Sequence, residues 1–551
     1  MARKIKYSTA DFAVITDGTN SHVGAWSLCV GDCENSVSIG YSIETFLASL
    51  YDVGPVYMQD LNLAGLYILK WLDTCQIPFK LPSELHQKIH GEFYSCIRDA
   101  SGTIYSITWQ TGNKRVEVRN SRLKLVNNLS SLTKQLLGYS VKSDRTIQVS
   151  HVQDIDINSL ADYTVSLYKI LSWYLKNGRQ LTISGDVLKD WMRRDKEKSL
   201  LYVGVELPQD IETFIRQAYR GGVCWTDPYV IDVNLGHGYV IDMHSIYLHV
   251  QKEYPMPYGV PRKVYQWSPE GLQWGRFLVS ATLKEGCFPC ISVCDGVNDI
   301  TNRALDVIED AVVILNKYDL ELLYMNYDVQ YLKYEYGYVF DTTNDVFKNF
   351  IEYWWSMKAS HDNEESLRAI AKAFAVNSYG KFGLKQKIVY DRKQGKFIPK
   401  KDDNNKIVYN RSGFSYVPLA ACITSIARYL IIKYAHKCKD AGGGRIVAID
   451  TDAVHWIGES APSFFKPSKQ LGEFDIEAEF DCIRHIGIKQ YAYQSQGHTE
   501  FILAGANDEV KDNLTWDTFH IGVTIPGKIV LKHTSQGAIR IALKYTLKGG
   551  I

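Results

Sequence analysis

Alternating apolar and polar positions predict strands along the first fifty residues, in the segments FAVITD, VGAWSLCVG and VSIGYSI. The apolar residues of LAGLYILKWL (63–72) have helical spacing, and mixed strand and helix patterns continue to about residue 183. Because strands and helices alternate, the pattern predicts an α/β domain in this part of the chain.

A second block of strands and helices begins near QAYRGGVCW (217–225). Its pattern predicts helices at 304–317, 363–378 and 418–437, followed by a strand-rich stretch. Between the last two helices, residues 384–412 are polar and contain two short β-like runs, which predict a projecting hairpin. The whole chain is therefore predicted to be an α/β protein with several domains.

Composition narrows the classes of protein that fit this pattern. The 551 residues favour several folded units, and 46% hydrophobic with 22% charged residues excludes a disordered or fibrous protein. The formal net charge of +1 excludes affinity for nucleic acid through bulk charge but permits local basic grooves. No apolar run is long enough to span a membrane. Asp11 and Asp17 interrupt the first apolar stretch, which excludes a signal peptide there. The eleven scattered cysteines are typical of reduced thiols. We therefore expect a cytoplasmic protein.

The strongest local signal is RIVAIDTDAVHWIG (445–458), which places Asp450-Thr451-Asp452 between two apolar strands. Two carboxylates two residues apart at a hairpin tip can face the same way. Such a pair is costly unless cations neutralise it, so it suits divalent metal ions. The alternative is an ordinary acidic turn, and this segment alone leaves both interpretations open.

A further carboxylate lies in GYVIDMHSIYLHV (238–250), where Asp242 ends an apolar strand. The residues after it, Ser245, Ile246 and Tyr247, form a turn into a helix. A carboxylate beside free N–H groups at a helix start suits a metal-bound phosphate. The alternative is that Asp242 is simply a helix cap.

The helical segment NEESLRAIAKAFAVNSYGKFG (363–383) is predicted to carry Arg368, Lys372 and Tyr379 on one face. Two cations and an aromatic ring on one face suit a nucleotide, with the cations on phosphates and the ring on the base. The alternative is a solvated basic face.

In chain order, the strand-end Asp, the basic helix ending in Asn-Ser-Tyr-Gly and the Asp-Thr-Asp hairpin resemble motifs A, B and C of family-B DNA polymerases. Three shorter matches resemble motifs of the protein-primed branch found in small phages. They are a YxGG motif at Tyr219-Arg220-Gly221-Gly222, a Tx2AR motif at Thr424-Ser425-Ile426-Ala427-Arg428 and a KxY motif at Lys489-Gln490-Tyr491.

The resemblance implies a right-hand polymerase with palm, fingers and thumb, preceded by an N-terminal domain of the ribonuclease-H-like exonuclease type. The domains that it implies, in chain order, are the exonuclease-like domain (1–183), palm (184–253), a first insertion of the terminal-protein-region type (254–345), fingers (346–383), a second insertion forming a strand-displacement hairpin (384–416), palm again (417–507) and thumb (508–551).

The resemblance also implies two-metal nucleotidyl transfer to a primer 3′-hydroxyl. Asp242 and Asp452 would hold two Mg²⁺ or Mn²⁺ ions, with Asp450 in support. The residues implied at the nucleotide are Ser245, Ile246, Tyr247, Arg368, Lys372 and Tyr379, with Tyr247 excluding a 2′-hydroxyl. The residues implied at DNA are Tyr219, Arg220, Gly221, Gly222, Thr424, Arg428, Lys489 and Tyr491.

Three positions depart from the polymerase motifs. Leu248 replaces a usual Pro in motif A, Ala453 replaces Ser or Thr in motif C, and Val376 replaces an Asn in motif B. None of these changes removes an expected metal ligand or the phosphate-binding Lys, so they affect nucleotide fit rather than the reaction class.

The N-terminal domain departs further from the family, whose exonuclease uses four acidic residues. Asp11 matches the first, but Ala13 replaces a Glu, Asp60 occupies an Asn position, and Ala64 and Leu167 replace two Asp residues. One acid of four cannot hold two metal ions, so the sequence predicts no proofreading. Leu167 and Asp60 favour natural loss over deliberate inactivation, and the domain would remain as a scaffold.

The leading hypothesis is a template-directed DNA polymerase that acts in protein-primed viral replication with strand displacement. Its expected partners are template and primer DNA, dNTPs and a terminal protein, with no membrane, and we expect a monomer in a phage-infected bacterium. One alternative is an error-prone, translesion or untemplated polymerase. Another is a non-catalytic DNA-binding replication factor, which the retained Asp242, Asp450, Asp452 and Lys372 disfavour.

Overall fold

The structure is a computed structural model. It describes residues 7–17, 20–31, 36–86, 91–99, 102–125, 128–141, 147–177, 180–293, 304–360, 365–383, 388–391, 396–399, 415–506, 508–534 and 537–550.

An eight-stranded sheet forms the N-terminal domain, with strand order β3-β2-β1-β4-β7-β6-β5 and β8 paired to β1. Its strands are β1 (Ser8–Asp17), β2 (Asn20–Cys29), β3 (Val37–Gly40), β4 (Val56–Met58), β5 (Phe93–Arg98), β6 (Ile104–Thr111), β7 (Lys114–Asn120) and β8 (Ile147–Val149). Its helices are α1 (Ile43–Ser49), α2 (Leu61–Thr74), α3 (Leu129–Leu137) and α4 (Ile157–Asn177). The predicted α/β domain and its helix at 63–72 are confirmed.

Three helices and three short strands lead into the centre of the protein. They are α5 (Ile183–Arg194), α6 (Lys196–Ser199), α7 (Gln209–Ala218), β9 (Cys224–Thr226), β10 (Asn234–Leu235) and β11 (Gly238–Met243). Helix α8 (Ile246–Glu253) follows β11, as the sequence predicts. Ser245 precedes this helix in the left-handed region, with φ 56°.

A separate antiparallel sheet then forms in the order β12-β15-β13-β14. Its elements are β12 (Met256–Val264), β13 (Leu272–Leu283), β14 (Val307–Leu315), helix α9 (Lys317–Asn326) and β15 (Tyr327–Thr343). The helix predicted over 304–317 is therefore wrong. The β-branched residues concentrated in this segment, including Ile308, Val312 and Val313, favour an extended strand, and pairing with β13 supplies its partner.

The next segment contains helices α10 (Lys348–Ser360) and α11 (Glu365–Val376), strands β16 (Ile388–Asp391) and β17 (Lys396–Pro399), and helix α12 (Val417–Ala441). Strand β16 pairs with β17 within the segment predicted as a hairpin, whereas residues 384–387, 392–395 and 400–414 of that segment and its surroundings lie outside the described residues. Helix α12 is long and apolar enough to cross a membrane, but 78% of its most apolar window is buried inside the protein. It serves as a central core helix.

The remaining strands complete the central sheet, in the order β20-β11-β19-β18-β9, and a second sheet, in the order β10-β21-β22-β23. They are β18 (Arg445–Asp450), β19 (Ala453–Ile457), β20 (Phe474–Phe480), β21 (Cys482–Gly487), β22 (Gln490–Ser495) and β23 (His498–Leu503). Helix α13 (Asp508–Lys511) precedes a C-terminal hairpin of β24 (Thr524–His533) and β25 (Ala538–Thr546).

Candidate active site

The central sheet brings the predicted carboxylates together at one edge. Asp242 lies near the end of β11, and its register partner on β19 is Ala453, the residue after Asp452. The backbone N–H of Met243 donates to the carbonyl of Asp452 over 2.8 Å. Thr451 has φ 65°, which allows the tight turn between β18 and β19. The motif A and motif C segments are therefore neighbours, although they are about two hundred residues apart in the sequence.

The carboxylates at this edge sit in an unfavourable electrostatic environment. Burial raises the pKa of Asp242 to about 8, with a further contribution from the charge of Asp452. Burial also raises the pKa of Asp452 to about 6, aided by the charge of Asp450. Glu477 on β20 adds to both rises. Buried like charges of this kind are stabilised when cations bind between them.

The donor set fits magnesium ions that share their coordination with a substrate. Mg²⁺ in nucleotide enzymes is held by one or two carboxylates, while phosphates and water supply the other ligands. Asp242 and Asp452 provide two such carboxylates. Among the residues that the structure describes, no group of three or more His, Cys, Asp or Glu side chains forms a closed metal site. The arrangement therefore suits metal ions that arrive with a triphosphate.

Asp450 differs from the other two carboxylates because it already has a cationic partner. Lys489 Nζ lies 2.5 Å from Asp450 Oδ1 and donates to Thr451 Oγ1 over 3.2 Å. The KxY segment and the motif C turn are thus in direct contact. Tyr491 of the same segment is buried, with its ring centroid 4.6 Å from that of His455. The Lys489 side chain is exposed, whereas Tyr491, which was also expected at DNA, is buried against His455 and His485.

The YxGG segment packs directly against the motif C turn. Thr451 N–H donates to the carbonyl of Val223 over 2.7 Å. A Cβ atom at Gly222 would lie 2.7 Å from Thr451 Cγ2 and 3.0 Å from Tyr247 Oη, so only glycine permits this approach. The segment therefore defines the position of the catalytic turn and of Tyr247 together.

Arg428 holds the YxGG segment from the side of α12. Its Nη1 donates to the carbonyls of Arg220 and Gly221 over 3.0 and 3.2 Å. Its Nη2 donates to Asp319 Oδ1 over 2.9 Å, and both side chains of this ion pair are buried. Asp319 lies on α9, within the segment predicted as the first insertion. The ion pair therefore connects that segment to the catalytic turn.

This geometry corrects the predicted roles of Arg428 and Thr424. Both side chains were expected at DNA, but both are buried on the apolar helix α12. The donors of Arg428 are engaged as described above, and Thr424 Oγ1 donates to the carbonyl of Ala420 over 3.1 Å. Neither side chain is exposed in this structure, so neither has the surface position that the sequence predicts for it.

The start of α8 presents the predicted nucleotide-binding segment. The first N–H groups of any helix lack partners within it, and here they follow Ser245 and face the end of β11. The Ile246 side chain is fully buried, so its backbone is the part available to a ligand. The Tyr247 ring lies 4.7 Å from the Tyr379 ring, centroid to centroid. Burial raises the pKa of both tyrosines and the charge of Asp452 adds to both rises, so the two rings lie near this carboxylate.

The helix that carries Arg368 and Lys372 is shorter than predicted. It ends at Val376, so Tyr379 lies in the following turn and does not share a helical face with the two cations. Arg368 and Lys372 are both exposed. The positive charge of Lys372 lowers the pKa of Asp242, against the larger effects of burial and neighbouring carboxylates. Arg368, Lys372 and Tyr379 therefore do not owe their proximity to helical spacing; the tertiary fold sets their positions.

Sequence analysis missed one cation of this site. Lys358 on α10 also lowers the pKa of Asp242, and the pKa of His244 is lowered by burial and by the charge of Lys358. Lys358 lies outside the three recognised motifs, and no spacing rule connects it to Asp242. Only the packing of α10 beside α11 and α8 reveals its position.

The N-terminal domain contains the residues compared with an exonuclease site. Asp11 is buried on β1, and burial raises its pKa to about 7. Asp60 caps α2 by accepting from Leu63 N–H over 3.3 Å, and its other carboxylate oxygen pairs with Arg540 of the C-terminal hairpin. Ala13, Ala64 and Leu167 are fully buried. These three positions therefore contribute apolar packing.

The fold and this carboxylate edge define the class of protein: a right-hand polymerase in which a palm sheet carries the acidic site. Residues 151–471 match the family described as DNA polymerase type B, organellar and viral. The chain belongs to this family and is a DNA-directed DNA polymerase.

Phage proteins are similar over the whole chain. The DNA polymerase of Bacillus phage M2 is 26% identical, with 100% of both chains covered. The DNA polymerase of Streptococcus phage Cp-1 is 23% identical over 97% of each chain. The structure of Phi29 DNA polymerase complexed with primer-template DNA has a TM-score of 0.83 at 24% identity, covering 98% of this chain and 100% of that one. This last similarity concerns the fold.

Proposed function

We propose that the chain extends the 3′-hydroxyl of a DNA primer with dNTPs chosen by a DNA template. The observation that carries this proposal is the pair Asp242 and Asp452, half-buried side by side at one edge of the palm sheet, with the positive charge of Lys372 acting on Asp242. The similarly folded Phi29 DNA polymerase has been solved with primer-template DNA and incoming nucleotides, which supports the same partners here.

Each group of site residues has a separate proposed role in this reaction. Asp242 and Asp452 would hold two Mg²⁺ ions, or Mn²⁺, which acidify the primer hydroxyl and neutralise the triphosphate. Lys372, with Arg368 and Lys358 nearby, places positive charge where the triphosphate binds. The N–H groups after Ser245 would donate hydrogen bonds to phosphate oxygens. Lys489 bonds the Asp450 carboxylate and thereby keeps the turn in place for the primer end.

Primer extension tests this proposal directly. The chain, a labelled primer on a defined template, Mg²⁺ and four dNTPs should yield full-length product. Supplying one dNTP at a time should stop extension at the first template base that does not pair with it. Failure to extend with either Mg²⁺ or Mn²⁺ would contradict the proposal.

Tyr247 is proposed to exclude ribonucleotides. Its ring lies between Gly222 and Tyr379, so it has little room to move away from a 2′-hydroxyl. Tyr247→Ala should raise the efficiency of rNTP relative to dNTP use by about 10- to 100-fold, the scale of one steric exclusion. Tyr247→Phe, which keeps the ring, is the matched control and should retain discrimination. Equal rNTP use by the Ala variant and the parent would contradict this role.

We also propose that the chain lacks 3′–5′ proofreading. Of the positions compared with the four family acids, Asp11 retains its carboxylate, whereas Ala13, Ala64 and Leu167 offer no metal ligand. A 5′-labelled primer with a mismatched 3′ end, incubated with Mg²⁺ and no dNTP, should therefore keep its full length. Progressive shortening that persists in a preparation of Asp11→Ala would point to a contaminating nuclease, whereas shortening abolished by that change would contradict the proposal.

The remaining proposals concern the biological setting. We propose the domain division given above: exonuclease-like domain, palm, two insertions, fingers and thumb. We also propose that the β16–β17 hairpin takes part in strand displacement. Protein-primed initiation is supported by similarity to phage polymerases, as is action in an infected bacterium. Initiation without a DNA primer would be seen as a labelled nucleotide covalently attached to a terminal protein. We propose that the polymerase acts as a monomer.

A further inference from the structure

The C-terminal hairpin reaches back to the N-terminal domain, where its tip is anchored by three polar contacts. Arg540 on β25 pairs with Asp60 at the start of α2. Tyr67 Oη on α2 donates to the carbonyl of Ala538 over 2.7 Å. The hydroxyls of Ser21 and Thr534 lie 2.6 Å apart. The contact therefore joins residues near opposite ends of the chain.

The contact is packed as well as hydrogen-bonded. Ala538 is fully buried and belongs to the hydrophobic core of the N-terminal domain, together with Tyr67 and Leu63. A Cβ atom at Gly537 would lie 2.5 Å from the Tyr67 ring, so the hairpin tip fits closely against α2. The Asp60 and Arg540 side chains are only 7% and 16% exposed. Exclusion of water at this level strengthens an ion pair relative to a surface one.

The docking position coincides with the degenerate nuclease residues. Asp60 stands at one of the motif positions compared with the family exonuclease, and its charge also acts on the buried Asp11. Arg540 offsets both carboxylates in part. A guanidinium thus supplies, from within the chain, positive charge of the kind that metal ions provide to acidic clusters.

The rest of the hairpin has the charge expected of a DNA-binding element. Residues 524–546 contain four Lys or Arg and no Asp or Glu. Lys532 and Lys544 on the two strands are exposed, as is Lys548 just after them. Arg540 pairs with Asp60, whereas these three exposed lysines could contact a polyanion such as the DNA backbone.

The hairpin packs against the palm at its base and against the N-terminal domain at its tip. Its base, including Ile525 and Leu547, packs with the β21–β23 sheet, which lies within the segment predicted as palm. Helices α3 and α4 of the N-terminal domain share the large core that contains α12 and the palm. Docking of the hairpin tip on α2 therefore closes a path from the N-terminal domain through the palm and back to the N-terminal domain.

We propose that the degenerate nuclease site is a docking site for the C-terminal hairpin, and that the Asp60–Arg540 latch keeps this hairpin closed over bound DNA. This inference rests on the proposed function, since it requires a DNA complex. The N-terminal domain then has a role after loss of the nuclease: it anchors the hairpin, and release of DNA requires the latch to open.

Charge reversal across the latch tests the proposal. Arg540→Glu places a carboxylate against Asp60, and fluorescent primer-template should then dissociate at least about tenfold faster, because loss of a desolvated charge pair acts mainly on the dissociation rate. The average product length in the presence of a heparin trap should fall accordingly. Asp60→Arg combined with Arg540→Glu restores opposite charges and should recover both values.

Lys544→Glu is the matched control, since it makes the same change of charge on the same strand without touching the latch. It should weaken DNA binding, and Asp60→Arg should not rescue it. Unchanged DNA dissociation in Arg540→Glu, or equal rescue of both hairpin variants by Asp60→Arg, would overturn the latch. Because dissociation is measured without dNTPs, it separates failure of the latch from failure of the parent to polymerise.

Discussion

Asp452→Asn should reduce the rate of templated nucleotide addition at least about 1000-fold, equivalent to about 4 kcal/mol of transition-state stabilisation. The substitution keeps the size of the side chain but removes one of the two half-buried negative charges that fit metal ions. Asp242→Asn should have an effect of the same order, and the double variant should lose little more, because both residues serve one metal site. Rapid-quench measurement of single-nucleotide incorporation gives the rates.

The matched control for this prediction is Asp481→Asn. Asp481 follows the other end of β20, about 20 Å along the strand from the residue paired with Asp242. Its substitution should leave the incorporation rate unchanged. Without divalent metal, Asp452→Asn should be no less stable than the parent, because burial raises the carboxylate pKa and thus makes its ionised form costly in the folded state. An active Asp452→Asn variant would contradict the assigned metal site.

Arg428→Ala should lower the free energy of unfolding by about 3–5 kcal/mol and abolish most of the activity. The substitution leaves the Asp319 carboxylate buried without its cation and removes the donors to the Arg220 and Gly221 carbonyls. The YxGG segment would lose its support on α12, and with it the close packing of Gly222 against the motif C turn. Denaturant unfolding and single-nucleotide incorporation measure the two effects.

A paired uncharged replacement separates stability from positioning. Arg428→Met with Asp319→Asn removes both charges and keeps a side-chain oxygen that can accept from Asn316 N–H at the start of α9, so the double variant should regain most of the stability that Arg428→Ala loses. It should remain impaired in incorporation, because no donor holds the two carbonyls. Full activity in the double variant would show that the ion pair is structural and does not position the turn.

Much of the candidate site could be predicted because its parts are local. An apolar strand followed by an Asp, and two apolar strands around Asp450-Thr451-Asp452, form the predicted structures from their own hydrophobic patterns. The helix after Ser245 could likewise be predicted from its local sequence. The order of the motifs along the chain then predicted that these segments meet at one site.

The rest depended on tertiary contacts that no local pattern contains. Asp319 meets Arg428 from 109 residues away, and Arg540 meets Asp60 from 480 residues away. Because of these partners, Arg428 is buried instead of exposed, and Asp60 pairs with the C-terminal hairpin. The mistaken helix at 304–317 has a related cause, since pairing with β13 makes this segment a strand.

Selection of the incoming nucleotide by the template base can be measured directly as a set of incorporation rates. Four templates that differ only in the first unpaired base, each offered all four dNTPs singly with Mg²⁺, give sixteen single-turnover rates. The polymerase should incorporate the complementary dNTP rapidly on each template and the other three dNTPs much more slowly. Incorporation of the same dNTP on every template, or of none, would contradict it.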